Sequence, residues 1–194
     1  MENENKTIYF VGLNGRLEKR SNNKRSKPFV EATKEIKKRV DSDKWDLSED
    51  FLLSTTQLEL IKEIIKNDYK ALTLNNESKL IIQQLERKIS GYKQQDIDKN
   101  IFNSQKIVNL KNIIDSLISC EMKCYYCKSD VLLLYEIVRE HKQWTVDRID
   151  NDLGHNYDNY LIACLECNLK RRRRSKDAYF FTKNLSIVKQ NNEK

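Results

Sequence analysis

The sequence predicts an α+β protein: a predominantly helical N-terminal region followed by a small metal-stapled strand-strand-helix unit. Three observations carry this. Only Pro28 and four glycines interrupt 194 residues, too few turn formers for an all-β chain. Apolar residues recur at helical spacing in three stretches between residues 56 and 119. Two Cys-x-x-Cys pairs, Cys124/Cys127 and Cys164/Cys167, then bracket a segment that stops following any single period. The expected organisation is 1–118 helical, basic and then acidic; 119–182 a zinc domain; and 183–194 a polar tail.

The elements follow in chain order. Thr7 to Val11 is β-prone and precedes the turn dipeptide Asn14-Gly15, which suggests a short strand or docked arm. Thr56 with Glu59 reads as a capping box opening a helix over 56–68, with Leu58, Ile61, Ile64 and Ile65 as its apolar stripe. Leu80, Ile81, Ile82, Leu85 and Ile89 predict a second helix over 77–90, ended by Gly91 as a left-handed cap. Ile107, Leu110, Ile113, Ile114, Leu117 and Ile118 predict a third over 104–119. Beyond Cys120, segments 131–138 and 144–149 read as strands and 159–174 as a helix.

Composition narrows the function classes. Hydrophobic residues are 39%, charged residues 34% and mean hydropathy is −0.76, which leaves a lean core yet keeps the aliphatic content a disordered chain lacks. No stretch of ~20 apolar residues and no charged-then-apolar leader is seen, so neither a membrane span nor secretion is expected, and an intracellular, reducing compartment (cytoplasm or nucleus) follows. The net charge of +7 is uneven: residues 1–40 carry +6, residues 164–194 carry +6 and the middle carries −5. Two basic ends suggest polyanion binding, with solvated lysine-rich tails as the alternative.

The cysteines carry the strongest signal. Two residues between paired cysteines let a tight knuckle bring both sulfurs to ~2.3 Å of one metal, and two knuckles complete a closed four-sulfur structural zinc site. A redox role needs a thioredoxin-like context that is missing, and disulfides are disfavoured in a reducing compartment. Cys120 remains as a small buried hydrophobe beside the knuckle.

Between the pairs run Trp144-Thr-Val-Asp147-Arg148-Ile149-Asp150, Gly154-His155-Asn156 and Asp158-Asn159-Tyr160-Leu161, and the second knuckle continues into Asn168-Leu-Lys170. Residues 120–175 resemble the zinc-containing HNH endonucleases of ββα-metal fold, more narrowly a variant common in large cytoplasmic DNA viruses. The resemblance implies phosphodiester hydrolysis with one Mg²⁺ or Mn²⁺ held by Asp147 and Asn168, both hard oxygen donors, with Asn159 bracing the loop and DNA as the partner. It also places the protein in a virus factory or virion.

One position departs from that pattern. Arg148 stands where the family has its general-base histidine, and a guanidinium accepts no proton near neutrality. His155 and Asp150 are the substitute bases to consider, with a loop role as the alternative for His155; His141 is less favoured. Lys170, Arg171, Arg172, Arg173, Arg174 and Lys176 follow the second knuckle, and four consecutive arginines cover every face of a helical turn, so some must meet a phosphate backbone or solvent. A nuclear-targeting cluster is the alternative there. Tyr179, Phe180 and Phe181 read as an anchor packing the tail. The rival to an endonuclease is a catalytically weak or inactive nucleic-acid-binding zinc protein with a packaging or regulatory role.

Overall fold

A computed structural model describes residues 7–10, 36–45, 47–69 and 74–189, with side chains left aside at 7–10 and 186–189. Most of the basic segment 1–40 and the turn at Asn14-Gly15 lie outside these residues. The elements run β1 (Thr7–Phe10), two 3-10 turns, α1 (Ser54–Lys66), α2 (Asn76–Asp98), α3 (Leu110–Ser119), β2 (Trp144–Arg148), β3 (Tyr160–Cys164), α4 (Leu165–Arg171), α5 (Lys176–Lys183) and β4 (Ser186–Lys189). This is the expected α+β class. β1 and β4 form a parallel pair that joins the two ends of the described chain, Thr7 opposite Ser186. β2 and β3 form an antiparallel hairpin with Trp144 opposite Cys164 and Arg148 opposite Tyr160. No helix among the described residues is long and apolar enough to cross a membrane.

One apolar cluster runs through all of this. Leu60, Ile61 and Ile64 of α1, Ile81 and Leu85 of α2, and Ile113, Ile114 and Leu117 of α3 belong to the same buried cluster as Met122, Tyr126, Trp144 and Ile162. The boundary expected near residue 118 falls inside packed structure: α3 ends at Ser119 and the next turn closes with Met122 N–H donating to Leu117 O at 2.8 Å.

Several elements differ from the sequence reading, each for a local reason. α1 starts at Ser54 after Leu53, without a side-chain cap, and Glu59 pairs with Lys62 at 2.7 Å instead of closing a box. α2 passes through Gly91 and runs to Asp98, because no breaker follows and its far end makes contacts of its own. It stops in a Schellman motif: Asn100 takes the left-handed role at φ 56°, and Ile101 N–H donates to Asp96 O at 3.0 Å. α3 begins at Leu110, where Asn109 and Asn112 cap each other reciprocally; Val108 N–H has gone to His155 O.

The segment 131–138 forms no strand. The buried Gln57 side chain takes the place of a strand neighbour, its Oε1 accepting from Leu133 N–H (2.7 Å) and Leu134 N–H (3.2 Å) while Nε2 donates to Leu134 O (3.0 Å). The second strand lies instead inside the expected helix over 159–174, which splits into β3 and α4. The order strand, strand, helix therefore stands, with the expected strand 144–149 present as β2 and β3 in place of 131–138. Cys164 marks the split, its Sγ accepting from Cys167 N–H at 3.4 Å as the cap of α4.

α2 covers the free edge of β2 with side chains spaced four apart. Lys88 Nζ donates to Trp144 O (2.5 Å), Tyr92 Oη accepts from Val146 N–H (3.1 Å), and Asp96 continues the row into the loop after β2. These contacts satisfy edge groups that would otherwise need another strand.

Candidate metal centre and basic helix

The first knuckle turns tightly. Cys124 N–H donates to Ser129 O (2.8 Å), and Lys128 returns to Cys124 O from φ 59°. The second knuckle is the β3–α4 junction. Together they put the sulfurs of Cys124, Cys127, Cys164 and Cys167 within 4.8 Å of one another, with Cys127 and Cys164 at 3.8 Å. Tetrahedral bonds of ~2.3 Å give sulfur–sulfur edges of ~3.8 Å, so the four are placed to hold one metal ion such as zinc. Their mutual electrostatics make the same point. Cys124 is pushed down by the hydrogen bond from Cys164, which is pushed up by that same contact, and burial with the nearby Cys124 charge pushes Cys167 up. Such crowding disfavours four simultaneous thiolates, which a bound cation would relieve. Cys120, half-buried, stands outside the cluster.

A tyrosine layer sits behind the sulfurs. The buried Tyr179 hydroxyl ionises above the usual phenol range through burial and the adjacent Cys167 sulfur. Its ring meets Tyr126 edge-on at 4.9 Å. Tyr126 Oη in turn donates to Asp147 Oδ2 at 2.6 Å.

Asp147, expected to hold a catalytic metal, is 3% exposed. Its Oδ1 accepts from Arg171 Nη1 at 2.7 Å, and Arg171 also donates to Arg148 O (2.8 Å) and Ile149 O (2.9 Å). Burial raises Asp147 above the usual carboxylate range, with Tyr126 and Arg171 opposing. Asn168 stands one turn before Arg171 and donates to Thr145 Oγ1 at 3.1 Å. α4 thus lies on the Thr145/Asp147 face of β2. Asp147 and Asn168 stand on adjoining elements, but a guanidinium already neutralises the carboxylate and would repel a second cation. The donor set as arranged does not fit Mg²⁺ or Mn²⁺.

The expected bases are also committed. Arg148 Nη1 donates to Asn151 O (3.1 Å) and Leu153 O (3.0 Å), holding the loop. His155 is 4% exposed, its Nδ1 sits 2.7 Å from Asp96 Oδ1, its own N–H donates to Asp96 Oδ2, and its ring stacks on Tyr92 at 4.6 Å. It is held by α2 and does not swing toward Asp147. Asp150 Oδ1 caps Asp152 N–H at 2.9 Å. His141 is exposed. Asn159 braces the loop: its Oδ1 accepts from Asp150 N–H and its Nδ2 donates to Asp150 O and Gly154 O.

The basic run divides in two. Arg171, expected at a nucleic-acid backbone, is 1% exposed and turned inward. Arg172, Arg173 and Arg174 are exposed, as is Lys170, which pairs with Glu166; Lys176 is partly so. Arg173 reaches Asp152 at 2.9 Å, with both side chains about four-fifths in solvent, where such pairs hold loosely. Tyr179 packs as expected, whereas Phe181 is 47% exposed.

Tyr126, Asp96 and Tyr92 are the residues that sequence reading missed. Tyr126 lies between the paired cysteines, so its proximity was legible; its aim at Asp147 was not. Asp96 lies in a polar stretch with no motif, and only the spacing of four from Lys88 to Tyr92 and from Tyr92 to Asp96 hints at a shared face. No family model matches the sequence, and no curated protein or solved structure matches the chain.

Proposed function

We propose that this protein is a zinc-stabilised nucleic-acid-binding protein, built on a β2–β3–α4 unit that resembles the HNH endonucleases but holds its key carboxylate in an internal ion pair. The observation that carries this reading is the division of the basic run. Arg171 turns inward to neutralise Asp147, while Arg172, Arg173 and Arg174 are exposed to solvent.

Zinc would be bound by Cys124, Cys127, Cys164 and Cys167, a closed set that leaves no position for substrate and so supplies folding energy rather than chemistry. Cations fixed beside such a rigid staple suit phosphate contacts, which set affinity and orientation without reading bases. Hydrolysis needs a base and an open metal site. Here the base position is arginine, His155 is tied to Asp96, and Asp147 is filled.

Plasmid DNA and protein incubated with and without Mg²⁺ or Mn²⁺ separate the possibilities. The expected outcome is a salt-sensitive mobility shift with no metal-dependent nicking. Nicking that disappears in Asp147→Ala and Asn168→Ala would overturn this reading in favour of an HNH-type endonuclease, and Arg148→His would then be expected to accelerate it.

A further inference from the structure

α4 and α5 are joined by a sharp reversal. Arg172 adopts φ 55°, ψ −119°, a conformation that a residue with a β-carbon adopts only when its surroundings force it. The forcing is visible on both sides: the buried guanidinium of Arg171 fixes the chain before it, and Ser175 Oγ caps α5 by accepting from Ala178 N–H at 3.2 Å after it. Between the two helices lies an open groove of about 740 Å³.

The lining of this groove is specific in character. Its rims carry Lys170, Arg172, Arg174 and Lys183, and its lining includes no acidic side chain. Its exposed apolar part is Leu169, 61% in solvent; the Tyr179 ring is 4% exposed, with Arg174 over it at 4.8 Å. Lys170 is paired with Glu166, which leaves Arg172 and Lys183 without a hydrogen-bonded acid among the described residues. Buried Nε of Arg171, which also lines the groove, has no partner among the described residues.

We propose that this α4–α5 groove binds single-stranded nucleic acid, with phosphates on the cationic side chains and an unstacked base or sugar face against the exposed Leu169. The inference rests on the nucleic-acid reading above and narrows it. A duplex keeps its bases stacked inside and presents a convex row of phosphates, so it meets only the rims. A lone strand can lie along the open groove and has apolar faces to set against Leu169.

Fluorescence anisotropy of the zinc-loaded full chain against an oligothymidylate and a duplex of equal length tests this. The single strand is expected to bind about tenfold or more tightly than the duplex. Arg172→Ala with Lys183→Ala should weaken strand binding and flatten its salt dependence by about 0.7 per lost phosphate contact. Leu169→Ala should weaken the strand severalfold at an unchanged salt slope and leave the duplex unaffected. Zinc content and circular dichroism confirm that each variant is folded. Equal or tighter duplex binding, or strand binding indifferent to all three substitutions, overturns the groove assignment while the nucleic-acid reading stands. Binding of neither probe removes both.

Discussion

Two aspartates in this protein are buried against a basic side chain, with a tyrosine completing each cluster, and they do different work. Asp147 on β2 meets Arg171 and the Tyr126 hydroxyl. Asp96 on α2 meets the ring and backbone N–H of His155, with Tyr92 stacked on that ring. The first partner is a guanidinium; the second is a histidine that burial pushes below its usual 6.5 despite the carboxylate beside it. One cluster is a clamp between β2 and α4. The other fastens the helical region to the loop through a neutral, titratable ring. A buried carboxylate beside a basic group is therefore no guide to catalysis by itself, because what fills its lone pairs decides whether it is available.

The largest disturbance should come from the metal. Chelation, or Cys164→Ser, is expected to unfold both clusters in one transition, since a single apolar cluster joins α1, α2 and α3 to the knuckles. Amide hydrogen exchange checks this. Protection surviving around Tyr92 and His155 while Tyr126 and Asp147 lose theirs would show that the two regions fold apart.

Next comes the clamp. Arg171→Met should cost about 3–5 kcal/mol in urea unfolding of the zinc-loaded protein, because it strands a buried carboxylate. Adding Asp147→Leu should restore much of that loss, since an apolar replacement for both partners removes the uncompensated charge. No recovery in the double variant would mean that the pair contributes more than mutual neutralisation.

The Asp96 side has its own steric test. A β-carbon at Gly154 would lie 2.8 Å from Asp96 Oδ2 and 2.8 Å from Ile101 O, so Gly154→Ala should destabilise by about 1–3 kcal/mol. An unchanged urea midpoint would show that the α2–loop contact gives way freely.

The smallest expected effect separates the two clusters by pH. A histidine lowered in the fold is protonated first in the unfolded chain, so its stabilisation is present above about 6.5 and is lost as pH falls through that value. Asp147, raised by burial, acts in the opposite sense, so the acid loss reports His155. His155→Gln should flatten the wild-type slope between neutral and mildly acid pH. Thiolate protonation contributes equally to both proteins, and a slope identical in the two would remove His155 as its source.

Residues at local spacing were legible in advance. The four cysteines converge because two intervening residues leave a knuckle little choice, and the stripes of α1, α2 and α3 bury because a period of 3.6 allows one apolar face. Asn159 bonds to Asp150 and Gly154, nine and five positions away, within the same loop. Val131–Val138 has strand composition, yet it makes only isolated bridges, and at Leu133 and Leu134 its backbone bonds to Gln57, a side chain 76 positions away from Leu133. Cys164 closes β3 and caps α4, so a stretch that reads as one helix became two elements.

The sequence by itself determined the class of fold, the sulfur staple and the concentration of positive charge after it, because composition and near-neighbour spacing act along the chain. Only the tertiary structure decided that Asp147 is closed by Arg171 and that His155 belongs to Asp96. Both outcomes depend on which polar partner comes within reach of a buried group, and burial forces such a group to find one regardless of the distance along the chain.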